Sequence, residues 1–404
     1  MAMINILYLS YDGINDPLGQ SQVAPYIEGL AEQNMNFHII SFEKDQTRTN
    51  YRFKNNYVVN WLKYKFTKRL YYLGKVYDYL RFLLVSLQYV RKNNIHCVHA
   101  RGFISGFIAL IINKTFKTKY IYDSRGLWVD ERLDNKSLNK KNLISILVYT
   151  IMKKAEKKIF FNAKKIIVLT FKVKKYLSIE NYCKISDITV IPCAADYEKF
   201  ILKPDNNKLK KKLKINSGSF VISYNGSITG VYLFEKMLEF FEKMNVFFKN
   251  TYFLVITNNI VEAKKILYQR YSHIKNNVII INSTREEMPN YLSLSNVDLF
   301  MINPTFARTA SFPTKFSESL AMNKAVICNS GIGDIDFFFK KFKFGKIINN
   351  NDIFNKFYFL RTYLQIKKTN NNRSLTYNFF DLKVAIKRYK RVYSNIFINE
   401  DSFD

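Results

Sequence analysis

Eleven short apolar runs punctuate the chain, each four to seven residues long and each followed by a loop and a helix-length stretch. In the first half they are Ile4–Ser10 (INILYLS) and residues 37–42, 96–99, 119–123, 165–170 and 187–191. In the second they are residues 220–224, 252–257, 277–281, 298–302 and 325–328. Runs so short and so uniformly apolar read as strands buried on both faces, which is the signature of parallel sheet. Strands alternating with helices require crossover connections, so helices cover both faces of such a sheet.

The pattern restarts once. A polar segment at 194–214, with seven lysines and Pro204, separates the sixth run from the seventh. The expected fold is therefore α/β, with two Rossmann-like domains facing across a cleft. The expected boundaries are 1–195, 196–375, and a helix and tail at 376–404 that pack back on the first domain. A helix is expected at 21–33, and an amphipathic helix over 375–397 closes the chain. In doubly wound sheets ligands collect at the carboxyl ends of strands, so the loops after the runs are where chemistry is sought.

Length agrees with two domains: 404 residues at roughly 150 per domain. Hydrophobic residues are 48% and charged residues 24%, which excludes global disorder. Lys plus Arg is 63 against 32 Asp plus Glu, a net charge of +31. The Lys, Ile and Asn load fits codon bias in an AT-rich genome, which accounts for part of that charge. The rest points to polyanionic partners: nucleic acid, an anionic membrane, or phosphate-bearing substrates. Cys97, Cys183, Cys193 and Cys328 form no CxxC pair, which fits a reducing compartment and no metal site. The start lacks the basic flank of a signal peptide, and apolar runs such as 103–112 are too short to span a bilayer.

The strongest local signal is 311–329, SFPTKFSESLAMNKAVICN. It reads as a turn at Pro313-Thr314, a helix over 315–322 and a strand. A helix start offers free N–H groups and positive dipole. Thr314 adds a hydroxyl and Lys315 a full charge, so the segment reads as a phosphate or diphosphate cradle. Glu318, one turn on, can accept hydrogen bonds from sugar or ribose hydroxyls. The plain alternative is a capped helix with solvated Lys and Glu.

This stretch resembles the PTKxxExLAxxxPVI signature of family 4 glycosyltransferases, which have the two-domain GT-B fold. Residues 6–22 (ILYLSYDGINDPLGQSQ) are similar to that family's opening strand and glycine loop. Residues 123–132 (DSRGLWVDER) resemble a block of its bacterial polysaccharide-assembly branch. Further likenesses fall at 165–170, 191–200, 225–232 (NGSITGVY) and 283–298, in the family's order.

The resemblance implies a retaining, metal-independent transferase. It would move a sugar from a nucleotide donor, UDP ahead of GDP, to a hydroxyl of a lipid-linked or surface-polysaccharide acceptor, in lipopolysaccharide or similar glycan assembly. The first domain would take the acceptor and the second the nucleotide-sugar. Glu318 would hold the ribose, while Ser311, Pro313, Thr314 and Lys315 would line the diphosphate and sugar. Arg285 would meet the nucleotide end, with Gly226 and Ser227 beside the donor. Gly19 would bring backbone N–H to the phosphates from the first domain. Two positions depart from the wider family. Ala310 stands where a first motif glutamate is expected, and Ser227 replaces a diphosphate-gripping Arg. Lys315 would then carry the leaving-group charge. The leaving phosphate can itself take the acceptor's proton, so no pair of catalytic carboxylates is required.

Arg101 and Arg125 each follow an expected strand and are the remaining catalytic candidates, as forks for phosphate or carboxylate. The alternative is a structural pair with Asp123, Asp130 or Glu131. His99 reads as a structural residue, and Asp334-Ile335-Asp336 as a chance likeness to a metal-binding DxD. Residues 51–122 hold 14 basic residues and one acid, and 153–175 hold nine Lys and one Glu. A helix over 69–92 presents Leu70, Leu73, Tyr77, Leu80, Leu84 and Leu87 at helical spacing. That stripe is expected to pack on the sheet, with the surrounding lysines facing an anionic membrane. The expected location is cytoplasmic, peripheral on the inner face of the cytoplasmic membrane. The competing readings are a non-catalytic GT-B-like scaffold and a basic nucleic-acid-binding protein, though no nucleic-acid module is recognisable.

Overall fold

The structure is a computed structural model. It describes residues 4–31, 35–43, 51–53, 58–67, 71–139, 141–202, 206–349, 352, 354–367 and 371–397. The chain forms two compact units: Met1–Pro192 with Leu382–Asp404, and Cys193–Asp381.

The first unit runs β1 (Ile4–Ser10), α1 (Pro17–Gln22), α2 (Ala24–Ala31), β2 (Met35–Glu43), β3 (Val58–Lys65), α3 (Tyr71–Lys92), β4 (Cys97–Arg101), α4 (Gly102–Phe116), β5 (Lys119–Asp123), α5 (Trp128–Asp134), α6 (Leu143–Asn162), β6 (Lys165–Val168), α7 (Phe171–Ile179) and β7 (Ile188–Val190). The second runs α8 (Asn207–Lys212), β8 (Phe220–Asn225), α9 (Phe234–Phe247), β9 (Thr251–Ile256), α10 (Ile260–Arg270), β10 (Val278–Ile281), α11 (Met288–Ser293), β11 (Val297–Phe300), α12 (Thr314–Ala321), β12 (Ala325–Asn329), α13 (Ile335–Phe342), β13 (Gly345–Ile348), α14 (Lys356–Lys367) and α15 (Asn372–Phe380). The last helix, α16 (Leu382–Phe397), returns to the first unit.

Both sheets are parallel, in the orders β3-β2-β1-β4-β5-β6-β7 and β10-β9-β8-β11-β12-β13. Each is a Rossmann-like doubly wound sheet. The strand order reverses at β1 in one and at β8 in the other, so the loops after β1 and β8 open at the switch points where such sheets bind ligands. Strand residues supply the core: Ile6, Leu7 and Leu9 of β1 and Val221 and Ile222 of β8 are all 0% exposed.

The loop after β1 is fixed from β2. The buried Glu43 carboxylate accepts from the amides of Ile14 and Asn15, each at 3.0 Å, and from the Ser41 hydroxyl at 2.6 Å. α16 packs beside α2. Its Tyr393 is fully buried and its hydroxyl lies 2.6 Å from His99 Nδ1.

Several elements differ from expectation. The helix expected at 21–33 is two helices, α1 and α2, parted at Val23. The one expected at 375–397 is also two, parted at Asp381, whose extended backbone bridges Ala195 where the chain enters the second unit. Strands β3 and β13 were not anticipated. The leucine stripe of α3 is inverted. Leu73, Tyr77, Leu80 and Leu84 are 54–66% exposed, while Gly74, Asp78, Phe82, Ser86 and Val90 face inward. The polar members of that inner row are satisfied locally. Asp78 accepts from the Thr67 amide and hydroxyl, and the Ser86 hydroxyl donates to the Phe82 carbonyl. Leu87 is half-buried, and Leu70 lies outside the described residues.

Candidate functional site

In the second unit, β8 ends at Asn225 and the chain turns through Gly226 at φ +134, a conformation that side chains strain to adopt. A Cβ built on Gly226 would lie 2.7 Å from Lys315 Nζ, so the glycine makes the seat on which that ammonium rests. Lys315 is the second residue of α12, whose cap is Pro313, with no side-chain hydrogen bond to the first turn.

Lys315 is 7% exposed, and its Nζ has no hydrogen-bond partner among the described residues. It lies between two aromatic faces, 4.2 Å from the Tyr224 ring centroid and 3.9 Å from that of Tyr232. Rings of this kind attract a cation without giving it a lone pair. Burial lowers the ammonium to about 7, while the Glu318 carboxylate opposes the shift. A buried cation with three unused N–H donors is a seat for an anion.

Glu318, 3% exposed, lies one turn further along α12. Asn225 Nδ2 donates to its Oε2 at 3.1 Å, and the Arg285 guanidinium pairs with its Oε1. Arg285 in turn stacks over Phe200 at 4.8 Å. Thus Gly226, Lys315, Glu318 and Arg285 are brought together at the carboxyl end of β8 and the start of α12. Thr314 and Pro313 begin the same helix. Ser311 accepts from Arg308 at 3.1 Å, and Ser227 turns to Thr229 at 3.0 Å and Asn259 at 3.3 Å. Tyr224, Tyr232, Asn225 and the nearly buried Arg308 were missed at the sequence level. Asn225 and Tyr232, the first and last residues of the NGSITGVY block, carried the only signal there.

The first-unit candidates form a separate cluster. Asp123 is fully buried, and its Oδ2 lies 3.5 Å from both His99 Nε2 and Arg101 NH1. Arg125 NH1 donates to Oδ1 at 3.3 Å, and the Tyr389 hydroxyl of α16 donates to Oδ2 at 3.1 Å. Burial raises the Asp123 carboxyl, but Arg125, His99 and Arg101 outweigh it and hold the group well below the usual carboxylate range. Burial lowers His99, with Asp123 opposing. Both arginines therefore make the Asp123 pairing, and His99 is bonded on both ring nitrogens.

Gly19 is packed tightly within its own loop. A Cβ there would lie 2.2 Å from the Gly13 carbonyl oxygen and 2.4 Å from Ile14 Cα. Its bare side is filled by its own loop.

Asp336 accepts from the Gly331 amide at 3.1 Å, so the DID stretch braces its loop. Among the described residues no cluster of His, Cys, Asp and Glu is arranged to hold a metal. An open groove of about 610 Å³ lies at the far end of α12, near Met322 and Arg373. Its Arg373 is already committed to the carbonyls of Tyr197, Phe200 and Ala321.

No protein-family model matches the chain, and no curated protein matches it by sequence. Solved structures do match in fold. Sucrose-phosphate synthase from Thermosynechococcus elongatus has a TM-score of 0.71 at 15% identity, covering 98% of this chain and 100% of that one. Anabaena HepE in complex with UDP has a TM-score of 0.69 at 12% identity, covering 97% and 100%. WaaG, a glycosyltransferase involved in lipopolysaccharide biosynthesis, has a TM-score of 0.68 at 11% identity, covering 97% and 99%. The architecture is that of GT-B glycosyltransferases. At these identities the likeness concerns the fold alone.

Proposed function

We propose that the chain is a retaining glycosyltransferase that moves a sugar from a nucleotide-sugar donor, UDP ahead of GDP, to a hydroxyl of a glycan acceptor. The observation that carries this reading is the Lys315 ammonium, buried without a hydrogen-bond partner on the Gly226 seat, with Glu318 one turn away. A diphosphate gives that ammonium its missing acceptors, and on this reading Glu318 also accepts from ribose hydroxyls. HepE, with the same fold, is described in complex with UDP.

In the reaction the bond between the anomeric carbon and the diphosphate oxygen breaks. The acceptor oxygen bonds to the same face of that carbon, and the acceptor proton passes to the departing phosphate. Lys315 and the α12 amides stabilise the charge that develops on the leaving group. The step needs neither a carboxylate pair nor a metal. On this reading the acceptor is lipid-linked or part of a surface polysaccharide, and the enzyme works on the cytoplasmic face of the membrane. Arg101 and Arg125, held by Asp123, belong to the acceptor unit.

A thermal-shift series with UDP, GDP, CDP and their sugar conjugates tests the donor site, because a ligand of the folded state raises Tm by mass action. The expected result is a selective rise with one nucleotide, absent in Glu318→Ala, together with sugar transfer from that donor. No rise with any nucleotide overturns the reading in favour of a non-catalytic scaffold. Binding without turnover of any donor does the same for catalysis.

A further inference from the structure

The inverted stripe of α3 belongs to a larger surface. α3 lies against α4, and α4 against α6, so the three helices stand side by side on one face of the first unit's sheet. α2 and α16 pair with each other, and α4 packs on β4 and β5. Right-handed crossovers give the same arrangement, since the connections from β3 to β6 all move one way across the sheet while β1 to β2 moves the other.

The outer side of this three-helix layer is apolar at both ends. On α3, Leu73 is 66% exposed, Leu80 54% and Leu84 57%. On the first half of α6, Leu143 is 83% exposed, Leu147 61% and Ile151 58%. These positions step by four or seven residues, so each set forms one ridge of its helix. Contiguous exposed apolar ridges mark interaction surfaces, whereas single exposed apolar residues do not.

The outward charge on the three helices has one sign. α3, α4 and α6 together carry nine basic residues: four on α3, Lys114 on α4, and four lysines on α6. Their acids are Asp78 and Glu156, each 1% exposed. Asp78 is bonded to Thr67 and Glu156 to Lys153, so neither presents a carboxylate outward. The approach to α6 adds Lys136, Lys140 and Lys141, and residues 135–155 contain no Asp or Glu. A second copy of the chain would bring the same cations to the contact, which disfavours self-association. Nucleic acid would be met by aromatic stacking platforms rather than by leucine and isoleucine ridges. No described helix is long and apolar enough to cross a membrane.

We propose that the α3–α4–α6 layer lies on an anionic lipid bilayer. The leucine ridge of α3 and the first half of α6 enter the headgroup boundary, and the surrounding lysines and arginines meet lipid phosphates. This deepens the reading of a membrane-borne acceptor, but it stands on the first unit alone and does not depend on the donor site.

Vesicle flotation of the full chain tests it. Vesicles of phosphatidylcholine mixed with phosphatidylglycerol should bind the protein at least about tenfold more tightly than phosphatidylcholine alone. The double variant Leu80→Glu, Leu147→Glu should lose at least about tenfold of that binding. Both positions are exposed, so the variant should keep the wild-type Tm. Val261→Glu, at an 84% exposed position of the second unit, should bind as wild type does. The nucleotide thermal shift is read on each variant, so a failed donor site is distinguished from a failed lipid surface. The proposal is overturned by absence of binding to the mixed vesicles, or by binding that the double variant retains. It is equally overturned if the ridges cover a second copy, seen as a concentration-dependent dimer that the double variant dissolves while vesicles fail to bind.

Discussion

The Tyr389 hydroxyl donates to Asp123 Oδ2 across 3.1 Å, although 266 positions separate the two residues. The first unit therefore completes its polar centre with a residue from the end of the chain. Asp123→Asn leaves Arg101 and Arg125 without their anion and should cost about 3–5 kcal/mol of stability. Tyr389→Phe removes one hydrogen bond and should cost about 1 kcal/mol. The folded carboxyl is held well below its ordinary 3.8, so the unfolded state binds the proton first as pH falls. Its contribution is present above about pH 4 and is lost below it. Denaturation curves at descending pH should show this loss in the wild type and not in Asp123→Asn.

Lys315 gives a slope of the same sign in a higher pH window. With its folded value lowered to about 7, the unfolded chain carries a proton that the folded chain lacks between about pH 7 and 10.5. This group's contribution to stability therefore rises with pH across that window. Lys315→Met should flatten that rise and raise Tm at neutral pH, while abolishing the nucleotide-dependent shift. A bound diphosphate favours the ammonium. Calorimetry of UDP binding near pH 8 in two buffers of different ionisation enthalpy should therefore report proton uptake, absent in Lys315→Met.

Gly226→Ala places a methyl group 2.7 Å from Lys315 Nζ on a backbone at φ +134. The strain is about 1–3 kcal/mol, and the lysine must leave its seat. The expected result is a lowered Tm and at least a tenfold loss of nucleotide affinity, measured by titration below the new melting point.

Gly19→Ala acts through packing. Its methyl would meet the Gly13 carbonyl oxygen and Ile14 Cα, both backbone, so no side chain can move aside. A loss of at least about 2 kcal/mol is expected from overpacking. Proteolysis under native conditions should cut the loop after β1 faster than in the wild type. If Gly19→Ala melts as wild type does, this packing account fails.

The parallel strands were legible because burial on both faces leaves an uninterrupted apolar run. β3 was not, because at the sheet edge it reads VVNWLKYK, with Lys63 and Lys65 exposed among its apolar residues. The division of the closing helix turned on the backbone of Asp381, which no side-chain pattern announces. At the candidate site, Lys315 and Glu318 were singled out from motif and charge, and Arg285 from the resemblance alone. Tyr224 was invisible because a tyrosine at a strand end reads as core. The α3 stripe carries the sharper lesson. Periodicity located an apolar face but did not say what it covers. Asp78, Ser86 and Gly74 could take the inner face because local hydrogen bonds and a missing side chain let them.

The return of α16 to the first unit also orders events during synthesis. A ribosome delivers residues 1–192 first, but Tyr389 and Tyr393, which close over Asp123 and His99, emerge last. The second unit, continuous from Cys193 to Asp381, has all its parts before the first unit does. The half made earlier is thus expected to fold later, and a nascent chain stalled before residue 382 should resist protease in residues 193–381 and yield in residues 1–192.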